Sequence, residues 1–261
     1  VIVTTGAGPS DETRAHAVEL AARLSLPFVE RRNRSLPQLR RQYGTDGILV
    51  VTAKGARLER AQGQPFFFHP NNAAFRIKRL ERGDTDIMLS VCQIAPGDHV
   101  LDATLGLGAD AIVFAHGVGE KGRVLGVESE PLIALLVEDG LRTWPTPSAS
   151  LRQAMWRVEV AVGHHLDVLR TLPDRSFDVV YFDPMFTSAV ADSAGIRGIR
   201  PYANPEPLSM EAVREALRVA RRRVVLKEGK GGTLYKQLGF TPFRTRQHQV
   251  VYSYQDAPGG E

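Results

Sequence analysis

The stretch Val100-Leu-Asp102-Ala-Thr104-Leu-Gly106-Leu-Gly108-Ala109-Asp110 constrains this chain more than any other. Two apolar residues run into an acid, two glycines follow, and an apolar helical pattern from Ala111 to His116 comes next. That order is strand, tight turn, helix, the nucleotide-binding entry of an open α/β sheet. Glycines at such a turn take backbone angles closed to other residues and let a ligand approach the main chain. A second strand, Gly122 to Val127, ends in Glu128, and an acid about 20 residues beyond the turn can meet ribose hydroxyls. The pattern Gly106-x-Gly108-x-x-Ala111 also fits the dinucleotide fingerprint. That fingerprint places its first glycine directly after the strand, however, and here Asp102-Ala-Thr104-Leu intervenes.

An acid at the strand tip with this spacing resembles motif I of the class I methyltransferases that use S-adenosylmethionine. In that family the turn approaches the methionine part of the cofactor and the second acid binds the ribose. The resemblance implies a Rossmann-like α/β fold with a mostly parallel seven-stranded sheet. It makes Asp102, Thr104, Gly106, Gly108 and Glu128 expected cofactor contacts. The alternation of strands and helices after Val100 agrees: strands at Val100–Leu101, Val124–Val127, Arg157–Val162, Phe177–Phe182 and Arg222–Lys227, with helices between them. Thr143 to Ser150 reads as a Pro- and Ser-rich loop, and Phe240–Arg246 with Gln249–Tyr254 as a terminal antiparallel pair.

Ligands of open α/β sheets lie at the carboxyl ends of the strands. Four sites meet that condition: Asp102 with its turn, Glu128-Ser129, His164-His165, and Asp183-Pro184-Met185-Phe186. The last resembles the Asn/Asp-Pro-Pro-Tyr/Phe motif of methyltransferases acting on exocyclic amines of nucleic-acid bases. Such an amine is a poor nucleophile because its lone pair is delocalised into the ring. Two acceptors, the Asp183 carboxylate and the Pro184 carbonyl, can hold its N–H groups and aim the lone pair, which is positioning more than proton abstraction. Phe186 is the expected stacking platform for a base that has left its helix.

Together, Leu101–Asp110, Glu128-Ser129, Val179–Phe186 and Arg223-Val-Val-Leu-Lys227 are similar to the bacterial family that methylates N2 of a guanine in small-subunit ribosomal RNA. That resemblance implies cofactor contacts at Ala109, Asp110, Glu128, Ser129, His164, His165 and Asp183; Met185 and Lys227 are expected to contact the substrate. This chain departs from the family pattern at His164-His165, at Thr187 after the motif, and along Arg76–Gly83.

The net charge of +4 is unevenly spread. Residues 1–95 hold 14 Lys+Arg against 9 Asp+Glu, while residues 96–261 hold 19 against 20. Arg31, Arg32, Arg34, Arg40 and Arg41 form one basic group, and Arg76, Lys78, Arg79 and Arg82 another. Such patches suit a phosphate backbone, which makes Arg40, Arg41, Arg76, Lys78 and Arg79 expected RNA contacts. Solvated helix faces account for either patch equally well. The expected organisation is a small basic α/β module (1–68), linker helices (69–97), the cofactor-binding domain (98–255) and a loose tail (256–261). No apolar run is long enough to span a bilayer, and the one cysteine, Cys92, can form no internal disulfide. A reducing, cytoplasmic setting is therefore expected. No Cys or acid stands at ligand spacing from His164-His165, so no metal is expected. The leading reading is an RNA base-amine methyltransferase. A non-catalytic RNA-binding protein on the same fold, or a small-molecule methyltransferase, stays open.

Overall fold

The computed structural model describes residues 1–184, 206–243 and 250–259. In chain order the elements begin with β1 (Ile2–Thr5), α1 (Asp11–Arg23), α2 (Leu36–Tyr43), β2 (Ile48–Thr52), β3 (Gly55–Glu59) and β4 (Phe66–Phe67). Then come α3 (Asn71–Leu80), α4 (Ile87–Val91), β5 (His99–Asp102), α5 (Ala109–Val118), β6 (Arg123–Glu128), α6 (Pro131–Thr143) and α7 (Ala149–Arg157). The described chain ends with β7 (Val158–Val162), α8 (His165–Thr171), β8 (Phe177–Phe182), α9 (Met210–Val219), β9 (Ala220–Gly229), α10 (Leu234–Gln237), β10 (Thr241–Phe243) and β11 (Val250–Asp256). Two compact units result, one containing 1–69 with 131–145 and the other 70–130, 146–184 and the described residues from 206 on.

The first unit has a four-stranded sheet in the order β1-β2-β3-β4, with β1 parallel to β2 and the rest antiparallel. Its core gathers Ile2, Val29, Leu39, Ile48 and Val50. Phe28 makes a single parallel bridge to Val3.

The second unit holds the seven-stranded sheet, in the order β10-β11-β9-β8-β5-β6-β7. Strands β5 to β9 run parallel, and β10 and β11 are antiparallel, as expected from the sequence. Side chains alternate across a strand. Thus Val180 and Phe182 of β8 join the core under α8 and α9, which also holds Leu169, Ala212, Val213 and Ala216. Tyr181 points to the opposite face, where its ring meets Phe114 of α5 edge-on at 5.1 Å. Because β5 pairs with both β6 and β8, the chain reverses direction across the sheet at β5. The crevice at such a reversal is where open sheets bind ligands.

Two segments correct the sequence expectation. The segment through Ser150 was expected as a loop, yet α7 starts at Ala149. Ser148 caps it, accepting from the Leu151 N–H at 3.2 Å, and Leu151, Ala154 and Met155 are buried. The tail from Asp256 was expected to be loose, yet Ala257 is buried and donates its N–H to Arg222 O at 2.8 Å. Arg175 Nη1 also donates to Pro258 O at 2.8 Å.

Candidate active site

The turn after β5 is fastened to both neighbouring strands. Ala103 N–H donates to Tyr181 O of β8 and Leu105 N–H to Val127 O of β6, each at 2.9 Å. Asp102 is only 1% exposed, and its Oδ1 accepts from Thr104 N–H at 3.2 Å. Burial pushes its carboxyl well above the ordinary range. Asp102 therefore shapes the turn from beneath. Thr104 Oγ1 accepts from Asp183 N–H at 2.6 Å, tying the turn to the end of β8. Gly106 and Gly108 have φ of +50° and +72°, values that favour glycine. Gly126 is needed for a different reason: a Cβ there would lie 2.4 Å from Leu105 Cδ1, the side chain that anchors the turn on β6.

At the end of β6, Glu128 Oε2 accepts from Gly106 N–H at 3.1 Å. Its Oε1 accepts from Glu130 N–H at 3.0 Å and from the Ser129 hydroxyl at 3.3 Å. Burial raises the Glu128 carboxyl above its usual range, against these bonds. At the end of β7, His164 caps α8, with Nδ1 accepting from Leu166 N–H at 3.4 Å. That bond leaves the ring proton on Nε2, which is buried with no hydrogen-bond partner among the described residues; Glu206 Oε2 is 3.5 Å away. His165 stacks at 4.2 Å on His164 and meets Phe182 edge-on at 5.8 Å. Burial, reinforced by His164, lowers the His165 pKa to about 4, so its ring is neutral at pH 7.

A second group of side chains meets beside the turn. Lys227 Nζ of β9 lies 2.6 Å from Asp183 Oδ2 and 2.8 Å from Asp110 Oδ2. Tyr181 donates its hydroxyl to Asp110 at 2.7 Å, and Arg76 of α3 donates to the other Asp110 oxygen. Arg76 also grips Asp86 with two nitrogens, at 2.7 and 2.8 Å, while Asp86 caps α4. Burial opposes the charge on Asp110, but Lys227 and Arg76 hold its carboxyl well below the usual range. Burial likewise opposes the Lys227 ammonium, and Asp110 and Asp183 outweigh it, raising its pKa. Asp183 behaves oppositely to Asp110: burial raises its carboxyl above the ordinary value despite Lys227. The result is one carboxylate at a strand end, held by Lys227, on a residue whose backbone N–H is tied to Thr104, with half-buried Pro184 after it.

The expected residues thus fall into groups. The turn gathers Asp102, Thr104, Gly106, Gly108, Glu128 and Ser129, and the acidic group gathers Asp110, Asp183 and Lys227, with Ala109 opening α5. Arg76 corrects the sequence reading. Expected as a phosphate contact, it is buried at 14% side-chain exposure and committed to Asp86 and Asp110. Lys78 and Arg79 are exposed on α3, Arg79 being paired with Asp84 at 2.9 Å. Arg40 and Arg41 lie on α2 of the first unit, with Arg40 Nε donating to Asp46 O at 3.0 Å. Met185 and Phe186 lie outside the described residues. Sequence reasoning missed the parts Asp86 and Tyr181 play, Tyr181 lying within the apolar strand Phe177–Phe182. It also missed Phe75, 63% exposed on α3 between Asn71-Asn72 and Lys78-Arg79; no periodicity marks an aromatic as exposed.

Comparison with known proteins gives this arrangement its family. The family described as "Putative SAM-dependent methyltransferase" matches residues 39–248. The chain belongs to this methyltransferase family. It is 40% identical over 245 residues to the uncharacterized protein YpiP of Bacillus subtilis, covering 94% of this chain and 95% of that one. It is 31% identical over 231 residues to ribosomal RNA small subunit methyltransferase J of Thioalkalivibrio sulfidiphilus, covering 84% of each. Its fold matches the crystal structure of the SAM-dependent methyltransferase NGO1261 from Neisseria gonorrhoeae. The TM-score is 0.67 at 18% identity, over 100% of this chain and 98% of that one.

The family's cofactor is S-adenosylmethionine, and the residues present suit it. The space above Gly106 is open, with no atom nearer than 4.0 Å to where a Cβ would stand. A carboxylate ends β6, and at the end of β7 the buried His164 Nε2 has no hydrogen-bond partner among the described residues, with Glu206 Oε2 3.5 Å away. An acceptor and a donor so placed match a ligand carrying a ribose and an adenine.

Proposed function

We propose that this methyltransferase acts on an exocyclic amine of an RNA base, guanine N2 in small-subunit ribosomal RNA. The observation that carries the reading is Asp183 at the end of β8, its backbone N–H tied to Thr104 and its carboxylate held by Lys227, with Pro184 following. Bound S-adenosylmethionine supplies an electrophilic methyl group. Asp183 and the Pro184 carbonyl accept the two N–H bonds of the amine and direct its lone pair. Positive charge develops on nitrogen as it takes the methyl group from sulfur, with S-adenosylhomocysteine as the other product; the carboxylate stabilises that charge and the amine's proton then passes to water. Phe186 and Met185 follow directly in the chain, and we assign Phe186 to stack on the base. Glu128 and Ser129 hold the ribose, and His164 Nε2 with His165 faces the adenine. The relatives named as ribosomal RNA methyltransferases support the substrate class. Among the described residues no helix is long and apolar enough to cross a membrane. Action on ribosomal RNA places the work in the cytoplasm.

Methyl transfer from labelled cofactor to small-subunit ribosomal RNA tests this reading. Incorporation into RNA is expected, and a protein that binds the cofactor yet labels only small molecules contradicts it.

Two further results are expected. Glu128→Ala removes a charge-assisted ribose contact of ~1.5–3 kcal/mol, so cofactor affinity falls roughly tenfold or more in calorimetry. It also frees the Gly106 N–H, which acts in the same direction. Unchanged affinity contradicts the ribose assignment. For RNA, removing one ion pair to a phosphate lowers the log–log salt slope by about 0.7–0.9. Charge reversal at Arg40 with Arg41, and separately at Lys78, is expected to weaken binding and flatten that slope. A face whose reversal changes neither is merely solvated.

A further inference from the structure

The first unit holds a pocket of about 270 Å³ whose walls come from β2, β3, β4 and α6. Three aromatic side chains line it: Phe67, Phe68 and Trp144. Phe68 is buried and meets Trp144 edge-on at 5.9 Å, so it fixes the indole. Gly140 makes that packing possible, because a Cβ there would lie 2.2 Å from the Phe68 ring. Phe67 is 40% exposed, an apolar ring left facing solvent. Lys54 and Arg57, both exposed, add two cations to the lining, Arg57 sharing its charge with Glu59 at 2.7 Å. Asp139 also lines the pocket, and the residue is only 8% exposed. Its Oδ1 meets His16 Nε2 at 2.7 Å.

Aromatic walls, flanking cations and a buried acceptor are the parts needed to hold one unstacked nucleotide. Rings stack on the base, cations meet phosphate, and an acceptor reads its hydrogen-bonding edge. The volume lies just below the ~300–1,000 Å³ of drug-sized ligand sites, which suits a single base with its sugar. A carboxylate accepts and never donates when ionised. Guanine alone among the four bases offers two adjacent donors, N1–H and N2–H, on its pairing edge. We infer that this pocket captures one unpaired guanine nucleotide of the RNA substrate, apart from the base that is methylated. The inference rests on the RNA reading above.

The chain has two tryptophans, so a Trp156→Phe background makes fluorescence report on Trp144 alone. The probes are GMP, AMP, inorganic phosphate and a short single-stranded RNA containing one guanine. GMP is expected to quench Trp144 and to bind at least tenfold more tightly than AMP, with no response to phosphate. The RNA is expected to bind more tightly than GMP. Asp139→Asn should lower GMP affinity tenfold or more. Since it also weakens the bond to His16, Lys54→Ala provides a second variant, expected to weaken RNA severalfold and GMP less. Equal quenching by GMP and AMP, or none, overturns the pocket, and GMP binding tighter than the RNA overturns its assignment to an RNA strand. If Trp144 stays silent while ribosomal RNA is still methylated, only this inference fails. If GMP binds but RNA is never methylated, the functional reading fails and the assignment to a substrate strand falls with it.

Discussion

Asp183→Ala is expected to lower methyl transfer by about 10²–10³-fold, the loss seen when one preorganised hydrogen-bonding group is removed from an active site. The carboxylate sits at the end of a strand whose preceding residues, Val179 to Phe182, are buried, so a rigid element aims it. Stability should change little. A carboxyl whose folded pKa is raised stabilises the fold at low pH and loses that contribution as pH rises through the folded value, so at neutral pH its charge adds nothing to folding. Lys227 keeps Asp110 as a partner when Asp183 is gone. The same raised pKa sets the acid limb of the rate profile above the ordinary carboxylate value, because the ionised form does the work. Single-turnover transfer at saturating cofactor, with folding checked by thermal denaturation, measures both effects. A folded Asp183→Ala protein with near wild-type turnover shows that Asp183-Pro184 is only a turn.

Asp110→Ala should do the reverse, damaging the fold first. Asp110 is 9% exposed and accepts from Lys227, Tyr181 and Arg76. Lys227 keeps Asp183 and Arg76 keeps Asp86, but the loss weakens the hold on both cations and leaves the buried Tyr181 hydroxyl without its acceptor, which costs about 1–3 kcal/mol. At roughly 2–4 °C per kcal/mol for a chain of this size, Tm falls by several degrees or more. The sign with pH follows from the lowered carboxyl pKa. Its contribution is present above the ordinary value of about 3.9 and is lost as pH falls through the lower folded value. The gap in Tm between wild type and Asp110→Ala should therefore persist at neutral pH and narrow only in strong acid. Identical Tm values at pH 7 contradict the ion-pair account.

The contrast between these two aspartates shows where the sequence is informative. Central strand β8 was legible because it is a short, mostly apolar run buried on both faces, and edge strand β7 because of its valines, although it is only partly buried. The turn was legible because positive φ at Gly106 and Gly108 demands residues that can take it. Arg76 was misread because its partners, Asp86 and Asp110, are 10 and 34 residues away, and charge pattern along a helix cannot report such pairing. Helix α7 was missed because Pro145, Pro147, Ser148 and Ser150 read as loop, whereas Ser148 is the cap that starts it. The buried hydroxyl of Tyr181 was invisible within an apolar strand until its acceptor on α5 was placed beside it.

The central claim is that this methyltransferase modifies an exocyclic base amine in RNA. The most direct measurement is mass spectrometry of nucleosides from small-subunit ribosomal RNA, after incubation with the protein and cofactor carrying a heavy methyl group. The account predicts a heavy methyl on guanine N2 with wild-type protein and its near absence with Asp183→Ala. A heavy methyl on a ribose oxygen or a ring carbon, or none on RNA while the protein binds the cofactor, contradicts it.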